Sequence, residues 1–449
     1  MERTDDNQAA DKGLLRRVAA ASLIGTTIEW YDYFIFGTTA GLVFNQLFFP
    51  SFSDVAGTLA AFASFAVGFF ARPLGGVIFG HFGDKIGRKS MLIMTLFLMG
   101  GATFLIGLLP GYGTIGVFAP LLLVLLRLIQ GIGLGGEWGG AALMISEHAP
   151  AKRRGFYASS VQMGAAGGLI LASGAIAAVS ALTTSEQYMT WAWRIPFLAS
   201  VILVAIGLYV RISIEESEAF KRLRSTESRA RLPIAEVFRT RWRNVLLAAG
   251  VSSGNNVVFY AVSVFTVSYA VNQLGRSQDA MLNYVLITAA VYFVTLPIFG
   301  ALSDRVGRRR LILVSAIVMG IVAFPYFWVL NAGGAALIIL AMVFYLAVFQ
   351  SAAYAPQSSF IPELFDTRVR YSGAALGYNL ATMVFGGTAP FIATALFSAA
   401  GQQIWPVAVY IMFICAVSLV SVYLATDAPM LRDDRENEAP AAPENPVRH

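Results

Sequence analysis

Five ionisable residues lie inside apolar stretches that are long enough to cross a bilayer: Glu29, Asp32, Arg72, Arg127 and Glu137. A charge in the hydrocarbon costs about 2.5 to 3.5 kcal/mol on insertion scales, so such residues persist mainly where they pair or carry out a function. Counted at about 1.5 Å per helical residue, Glu29 and Asp32 lie roughly 16 to 21 Å from the inner end of their segment. Arg72 and Glu137 lie about 15 Å from theirs. The three carboxylates and Arg72 are therefore expected to converge near one level.

This set of side chains has the chemistry of a proton carrier. Three acids face two arginines, so one carboxylate lacks a cationic partner when all are ionised, and a buried carboxylate of that kind takes up a proton readily. We assign the proton to Asp32, with Glu29 and Glu137 as rivals. Arg72 is then either the partner of Asp32 or the clamp for an anionic substrate. Arg127 either belongs to the proton site or holds its helix in place. A purely structural network remains the alternative.

Membrane-spanning helices must position these residues. The chain is 57% hydrophobic and 13% charged, with a mean hydropathy of +0.66, which is far from the composition of a soluble protein of 449 residues. Segments of about 20 apolar residues, the length that crosses a bilayer, lie near 18–44, 55–81, 90–110, 115–147, 157–182, 194–214, 244–271, 281–302, 310–331, 335–360, 371–399 and 405–426. The predicted fold class is an all-α membrane protein with twelve transmembrane helices.

Basic residues set the orientation. If the N-terminus is inside, the clusters at 85–89, 152–154, 211–243 and 305–310 all fall on the inner side, while the short outer loops keep only Arg276. Cytoplasmic loops carry such an excess of Lys and Arg, so both termini are expected in the cytoplasm. The net charge of +6 is then a topology signal, and it gives no reason to expect nucleic-acid binding.

The chain contains a duplicated half. The decapeptides 80–89 and 300–309 share the pattern Gly-x-x-x-Asp-Lys/Arg-x-Gly-Arg-Lys/Arg and lie 220 residues apart. Each ends one apolar run and begins the next, which predicts two pseudo-symmetric six-helix bundles. The expected organisation is a cytoplasmic N-terminal tail (1–17), a first bundle (18–214), a charged cytoplasmic connector (215–243), a second bundle (244–426) and a disordered cytoplasmic tail (427–449).

Residues in and around these paired turns are assigned to conformational gating. Gly83 and Gly87 permit a tight turn, and Asp84 can accept from a helix N-terminus. Arg88 is expected to pair with Glu147, and the repeat places the corresponding pair in the second half. Such pairs would lock the cytoplasmic side in one state and break in the other. The assigned set is Gly80, Gly83, Asp84, Gly87, Arg88, Glu147, Arg154, Asp304, Gly307, Arg308, Glu363 and Arg370.

The turn signature resembles that of the major facilitator superfamily. Further motifs resemble its metabolite:proton symporter family: Glu29-Trp-Tyr-Asp32-Tyr, Arg72-Pro-Leu-Gly-Gly, Arg127-Leu-Ile-Gln-Gly, Gly135-Gly-Glu137-Trp-Gly-Gly-Ala, Arg153-Arg-Gly-Phe-Tyr, Trp193-Arg-Ile-Pro-Phe and Pro362-Glu-Leu-Phe-Asp-Thr-Arg-Val-Arg-Tyr-Ser-Gly. That family includes carriers of shikimate, 2-oxoglutarate, citrate, proline and betaine, and the wording around 79–87 and 135–142 is similar to the shikimate carriers. The resemblance implies the major facilitator fold, a multi-pass protein of a bacterial-type plasma (inner) membrane and alternating access.

Neutral polar residues distinguish the second half, whose helices carry no deep charge. Substrate is expected at the interface of the two repeats, between Arg72 of the first half and the amides and phenols of the second. Interhelical hydrogen bonds of about 0.6 kcal/mol each are the structural alternative for at least half of these residues. The assigned set is Arg72, Tyr33, Trp138, Gln162, Asn255, Asn256, Tyr260, Gln350, Tyr354, Gln357 and Asn379.

These features predict a secondary active transporter that carries a proton together with a small organic acid, either shikimate-like or a di- or tricarboxylate. A proline/betaine:proton symporter is the alternative, but that branch of the family typically extends into a long coiled coil, and this tail lacks heptads. The expected partners are a small-molecule substrate, the proton and the lipid bilayer, with no nucleic acid and no obligate protein partner.

A membrane enzyme or a channel is the alternative from another class. The sequence shows no candidate for a catalytic nucleophile, metal cluster or phosphate loop, and we expect no catalytic residue, metal or cofactor. The segment 131–136 satisfies Gly-x-Gly-x-x-Gly but lies in an apolar helix with no preceding strand. Its glycines, with Gly164 and Gly168, are instead expected to let predicted helices 4 and 5 approach closely.

Overall fold

Backbone polar groups in a bilayer must be satisfied within their own segment, so an apolar chain of this kind crosses it as helices. The computed structural model describes residues 2–86, 88–135, 149–150, 153–213, 237, 241–365 and 369–425. Within those ranges helices follow one another through short turns, and no strand occurs there.

The described part of the first half has six long helices, besides short helical turns between them. They are α1 (Glu2–Thr39, continued by a π-helical turn, Ala40–Phe44), α2 (Asp54–Ile86), α3 (Arg88–Leu108), α4 (Phe118–Leu134), α5 (Arg154–Leu182) and α6 (Arg194–Ser213).

The second half repeats this arrangement. Its helices are α7 (Trp242–Tyr260, a π-helical turn Ala261–Phe265, then Thr266–Asn272), α8 (Gln278–Val306), α9 (Arg308–Ala332), α10 (Ala335–Met342, a π-helical stretch Val343–Gln350, then Ser351–Glu363), α11 (Arg370–Ala381, a π-helical turn Thr382–Gly386, then Ala389–Ala399) and α12 (Trp405–Leu424).

These helices follow the apolar segments of the sequence. In the described part of the chain, nine helices are long and apolar enough to cross a membrane, and α3 and α4 add shorter apolar stretches, Ile93–Leu108 and Phe118–Leu134. The remaining membrane helix, α1, carries Glu29 and Asp32 in its apolar part. The helix order therefore matches the twelve predicted segments.

Contacts between α5 and α8, α1 and α7, and α2 and α11 join the two halves. Within the first half, α1 packs on α5, and α4 packs on α2 and α3. A Cβ at Gly131 of α4 would meet the Gly68 carbonyl of α2, and one at Gly168 of α5 would meet Trp30 of α1. The expectation that these glycines bring α4 and α5 together was wrong in its partners for Gly131 and Gly168, because Gly131 faces α2 and Gly168 faces α1.

The turns between helices differ from the prediction in one respect. Helix α2 continues to Ile86 and α3 begins at Arg88, so Gly83 lies inside a helix and not in the turn. At the equivalent point of the second half, Gly307 separates α8 from α9 with φ of 99°, a conformation that favours glycine because it lacks a Cβ. Only 237 and 241–243 of the predicted connector belong to the described residues, and the predicted tail after 426 lies outside them.

Candidate functional site

Helices α1 and α2 bring an acid and a base together at the centre of the first bundle. Arg72 Nη2 donates to Glu29 Oε1 at 2.7 Å, and the two side chains are 2% and 4% exposed. The described residues provide no hydrogen-bond acceptor for Arg72 Nε. Arg72 thus pairs with Glu29, and not with Asp32, which was one of the two alternatives for Arg72. Asp32 follows Glu29 by three residues, which leaves it about 60° farther around α1, where its carboxylate meets Thr103 of α3.

Asp32 instead belongs to a chain of hydrogen bonds between α1, α3 and α4. Thr103 Oγ1 lies 2.8 Å from Asp32 Oδ2, and Gln130 Nε2 donates to Thr103 Oγ1 at 2.8 Å. Arg127 Nη1 donates to Gln130 Oε1. Asp32 is buried, and its Oδ1 has no hydrogen-bond partner in the described part of the chain. Two uncharged residues therefore link the carboxylate of Asp32 to the Arg127 guanidinium.

Aromatic rings surround the fully buried Arg127. Its guanidinium carbon lies 4.2 Å from the centroid of the Tyr33 ring, 4.4 Å from that of Phe36 and 5.0 Å from that of Phe65. Its Nε also donates to the Phe65 carbonyl at 3.4 Å. Ring faces attract a cation most strongly where water is excluded, so this cluster keeps a charged arginine inside the bundle while it ties α4 to α1 and α2.

Aromatic side chains also fill the interface between the two bundles at this level. The ring of Tyr260 on α7 lies 5.8 Å from Phe65 and 5.6 Å from Phe69 of α2. Trp30 of α1 lies 5.7 Å from Phe259. The guanidinium carbon of Arg72 lies 5.5 Å from the centroid of the Tyr33 ring and 5.8 Å from that of Phe69, so Arg72 lies against the same group of rings.

The second bundle contributes neutral polar groups from α7, α10 and α11. Gln350 Nε2 donates to Asn255 Oδ1 at 2.5 Å, and the hydroxyls of Tyr354 and Tyr378 lie 3.2 Å apart. Gln357 Nε2 donates to the Val251 carbonyl at 3.4 Å. These contacts join α7 to α10 and α10 to α11 through polar groups.

Three other predicted substrate residues hydrogen-bond to backbone carbonyls. Gln162 of α5 donates to the Tyr354 carbonyl across the interface at 3.2 Å. Asn256 donates to the Ser252 carbonyl of its own helix at 2.8 Å, and Asn379 donates to the Gly135 carbonyl at 3.4 Å. These hydrogen bonds give all three residues a structural role in this conformation.

Several buried polar atoms around this interface lack hydrogen-bond partners. Within the described residues they include Arg72 Nε, Tyr33 Oη, Tyr260 Oη, Asp32 Oδ1 and Gln357 Oε1. Buried polar groups are almost always hydrogen-bonded, and each unpaired group costs about 1 to 3 kcal/mol. Their number here identifies a site where polar groups are available to a ligand.

At the end of the bundles where the paired turns lie, α8 caps the N-terminus of α5. Asp304 accepts from the backbone N–H groups of Gly155 at 2.8 Å and Phe156 at 3.0 Å. Arg308 contacts Glu363 and lies 3.6 Å from Asp304. These contacts hold α8, α9 and α10 of the second bundle together and attach them to the first bundle.

The remaining predicted gating residues have different outcomes. Arg370 Nε donates to the Phe365 carbonyl at 3.3 Å, and Arg154 Nε has no hydrogen-bond partner in the described ranges. The predicted residues outside the described set, or described only in their backbone, are Gly80, Gly83, Asp84, Gly87, Arg88, Glu137, Trp138 and Glu147.

The bundles also touch at the end opposite to the Asp304 contact. Ser180 of α5 donates to Asp279 of α8 at 2.5 Å. The Gly41 carbonyl, in the π-helical turn of α1, accepts from Ser268 at 3.2 Å and Asn272 at 3.0 Å, both on α7. The conformation thus has contacts between the bundles at both ends.

Sequence reasoning named Tyr33 as a substrate residue, but it did not single out Thr103, Gln130 or the Phe36 and Phe65 rings around Arg127. Gln130 follows Arg127 by three residues and so shares its helix face, which is a signal that a search for buried polar neighbours would find. Thr103 has no such signal, because a lone threonine in an apolar helix usually bonds to its own backbone.

Together, the twelve helices in two repeats and the polar site between them define a membrane carrier of small solutes. A model of the Major Facilitator Superfamily matches residues 22–387. The chain belongs to this superfamily, so it is a multi-pass membrane transporter and not an enzyme. The predicted fold class is confirmed.

Individual relatives support this assignment. The chain is 41% identical over 435 residues to the shikimate transporter of Escherichia coli (strain K12), with 95% of this chain and 99% of that protein covered. It is 38% identical to an inner membrane metabolite transport protein, YhjE, of the same organism, covering 91% and 93%. The crystal structure of a D-xylose-proton symporter superposes with a TM-score of 0.70 at 18% identity, covering 92% and 97%, which shows the shared fold.

Proposed function

We propose that the protein is a proton symporter for a small hydroxylated cyclic carboxylate of the shikimate type and that it works by alternating access. The observation that carries this proposal is the set of unpartnered buried donors and acceptors between the bundles. The 41% identity to a shikimate transporter supports the same chemical class.

The chemistry of the free groups matches such a ligand. Arg72 Nε and the hydroxyls of Tyr33 and Tyr260 are donors for a carboxylate, and charge-assisted bonds of this kind are the strong ones. Gln357 Oε1 is an acceptor for a ligand hydroxyl. Rings from both bundles offer flat apolar faces to a six-membered ring. A betaine would leave the Gln357 acceptor unpaired, because a quaternary ammonium has no N–H or O–H.

Charge balance gives a reason for coupling to a proton. Among the described residues of the central site, Glu29 and Asp32 balance Arg72 and Arg127 when all four are ionised. Asp32 carries no direct contact with either arginine, so it is the acid whose protonation breaks no ion pair. Counted over these four residues, proton uptake at Asp32 changes the net charge from zero to +1, which favours the binding of an anionic substrate.

Contacts at the two ends of the bundle interface supply the gates. In this proposal the inner contact between Asp304 and α5 opens in the inward-facing state, and the outer contact of Gly41 with α7 opens in the outward-facing state. Because each set joins the two bundles, breaking one set while keeping the other produces the rocking motion of such carriers.

Uptake into proteoliposomes tests the proposal. With an imposed inward proton gradient, we expect accumulation of shikimate but not of betaine. Parallel assays with a dicarboxylate, a tricarboxylate and an aromatic acid define the specificity.

Asp32→Asn is expected to abolish gradient-driven accumulation while shikimate exchange stays measurable. Asp54→Asn, at the exposed start of α2, is the matched control. If pH-dependent accumulation persisted in Asp32→Asn, the assignment of the proton to Asp32 would be wrong. Accumulation of betaine alone would favour the osmolyte alternative.

A further inference from the structure

Thr103 occupies an unusual place in the hydrogen-bond chain, because its hydroxyl has more acceptors than protons. Its Oγ1 lies 2.8 Å from Asp32 Oδ2 and 2.9 Å from the Met99 carbonyl. It also receives a hydrogen bond from Gln130 Nε2 at 2.8 Å. A hydroxyl has one proton and two lone pairs, so Thr103 can donate fully to only one of its two acceptors at a time.

We propose that Thr103 is a one-proton switch that responds to the protonation of Asp32. The inference rests on the proposed role of Asp32 as the proton carrier. With Asp32 ionised, the Thr103 proton bonds to its carboxylate, since a charged acceptor makes the stronger bond. With a proton on Asp32 Oδ2, the carboxylic acid donates to Thr103, and the Thr103 proton rotates to the Met99 carbonyl. Both arrangements use distances that already exist, so no heavy atom has to move.

Gln130 fixes the direction of this switch. Its amide oxygen accepts from Arg127, which turns its NH₂ group toward Thr103 and occupies one lone pair of the hydroxyl. The second lone pair is therefore the one that can accept from protonated Asp32. Thr103 and Gln130 are thus positioning residues, through which the Arg127 charge stabilises the ionised form of Asp32.

Few charged groups lie on the described parts of the helices around Asp32. Helix α1 contributes Glu29 beside Asp32, and α2 contributes Arg72, which is bonded to Glu29. Helix α4 contributes Arg127. The apolar stretch Ile93–Leu108 of α3, which carries Thr103, contains no charged residue. Among the described residues, the Thr103 hydroxyl is the donor that bonds to the Asp32 carboxylate.

The test compares Thr103→Val with Thr103→Ser in shikimate uptake measured across a range of pH. Val matches the shape of Thr but lacks the donor, so the ionised form of Asp32 loses more stabilisation than the protonated form. Asp32 should then hold its proton about tenfold more tightly, the difference between a charged and a neutral hydrogen bond. The half-maximal pH of uptake should move about one unit to the alkaline side. Thr103→Ser keeps the hydroxyl and should keep the wild-type profile.

A second readout separates the switch from transport. An infrared titration of the purified protein without substrate follows the carboxyl band that Asp32→Asn removes, and this band should shift with pH in Thr103→Val as uptake does. Thr103→Ala serves the same purpose if the Val variant is poorly inserted. Wild-type uptake that does not depend on pH would refute the proposed function. Wild-type pH dependence that Asp32→Asn removes, together with superimposable profiles for Thr103→Val and Thr103→Ser, would refute the switch alone.

Discussion

Replacing Arg72 is the sharpest test of how the site holds an anion. Arg72 is 2% exposed, so no water replaces its hydrogen bond to a bound carboxylate. A hydrogen bond to a charged group contributes about 1.5 to 3 kcal/mol, and each 1.36 kcal/mol is tenfold in affinity. Arg72→Gln is therefore expected to weaken shikimate binding by about 13- to 160-fold, as measured by scintillation proximity binding of the radiolabelled ligand.

The ion pair with Glu29 complicates this variant and also provides its control. Removing one member of a buried pair leaves the other charge uncompensated, at a cost of about 3 to 5 kcal/mol. Arg72→Gln should thus also lower the melting temperature. The double variant Glu29→Gln with Arg72→Gln restores neutrality, so it should recover stability without recovering affinity. Glu29→Gln alone releases Arg72 and should tighten binding.

The shikimate affinity of the double variant distinguishes a binding role for Arg72 from a structural one. If it bound shikimate as tightly as the wild type, Arg72 would be a structural residue and the carboxylate would bind elsewhere. Arg194→Gln supplies the matched control, because Arg194 lies at the start of α6, where it bonds to the carbonyls of Thr190 and Leu109. Its replacement should leave the affinity unchanged.

Two further predictions concern the helix contacts. Asp304→Asn removes the charge that caps α5, a charge–helix interaction of about 0.3 to 1 kcal/mol, so the contact between α5 and α8 should open more often. Thiol labelling of Ser159→Cys, which is buried on α5 against Gly300 of α8, should then rise relative to the same variant with Asp304 intact, and unchanged labelling would contradict this. Gly131→Ala places a Cβ against the Gly68 carbonyl and should destabilise the protein by about 1 to 3 kcal/mol, which would be measured as a lower melting temperature. Gly101→Ala is the control, because a Cβ there meets nothing within 4 Å, and it should leave the melting temperature unchanged.

The fold was predictable because the bilayer reduces the possibilities. An apolar run of membrane length has one stable local structure, and the paired turns at 80–89 and 300–309 mark the repeat directly. Helix ends were less predictable, as Gly83 shows, because a helix can extend beyond the apolar run.

The burial of the deep charged residues was predictable, but their pairs were not. Counting residues from the helix ends identified Glu29, Asp32 and Arg72 as deep charges, and all three are buried. Which acid meets Arg72 depends on how α1 is rotated relative to α2 and α3. Sequence gives the angle between Glu29 and Asp32 on one helix, but the angle between two helices comes only from their packing.

The π-helical turns of α1 and α7 lie at equivalent points of the two halves. The turn in α1 begins at Ala40 and the turn in α7 begins at Ala261, 221 residues later, which is one residue from the offset of the repeated decapeptides. A π-helical turn adds one residue to a helix without changing the helices around it. Both halves carry that addition at the equivalent point, so the match between them extends to the irregular turn of their first helices.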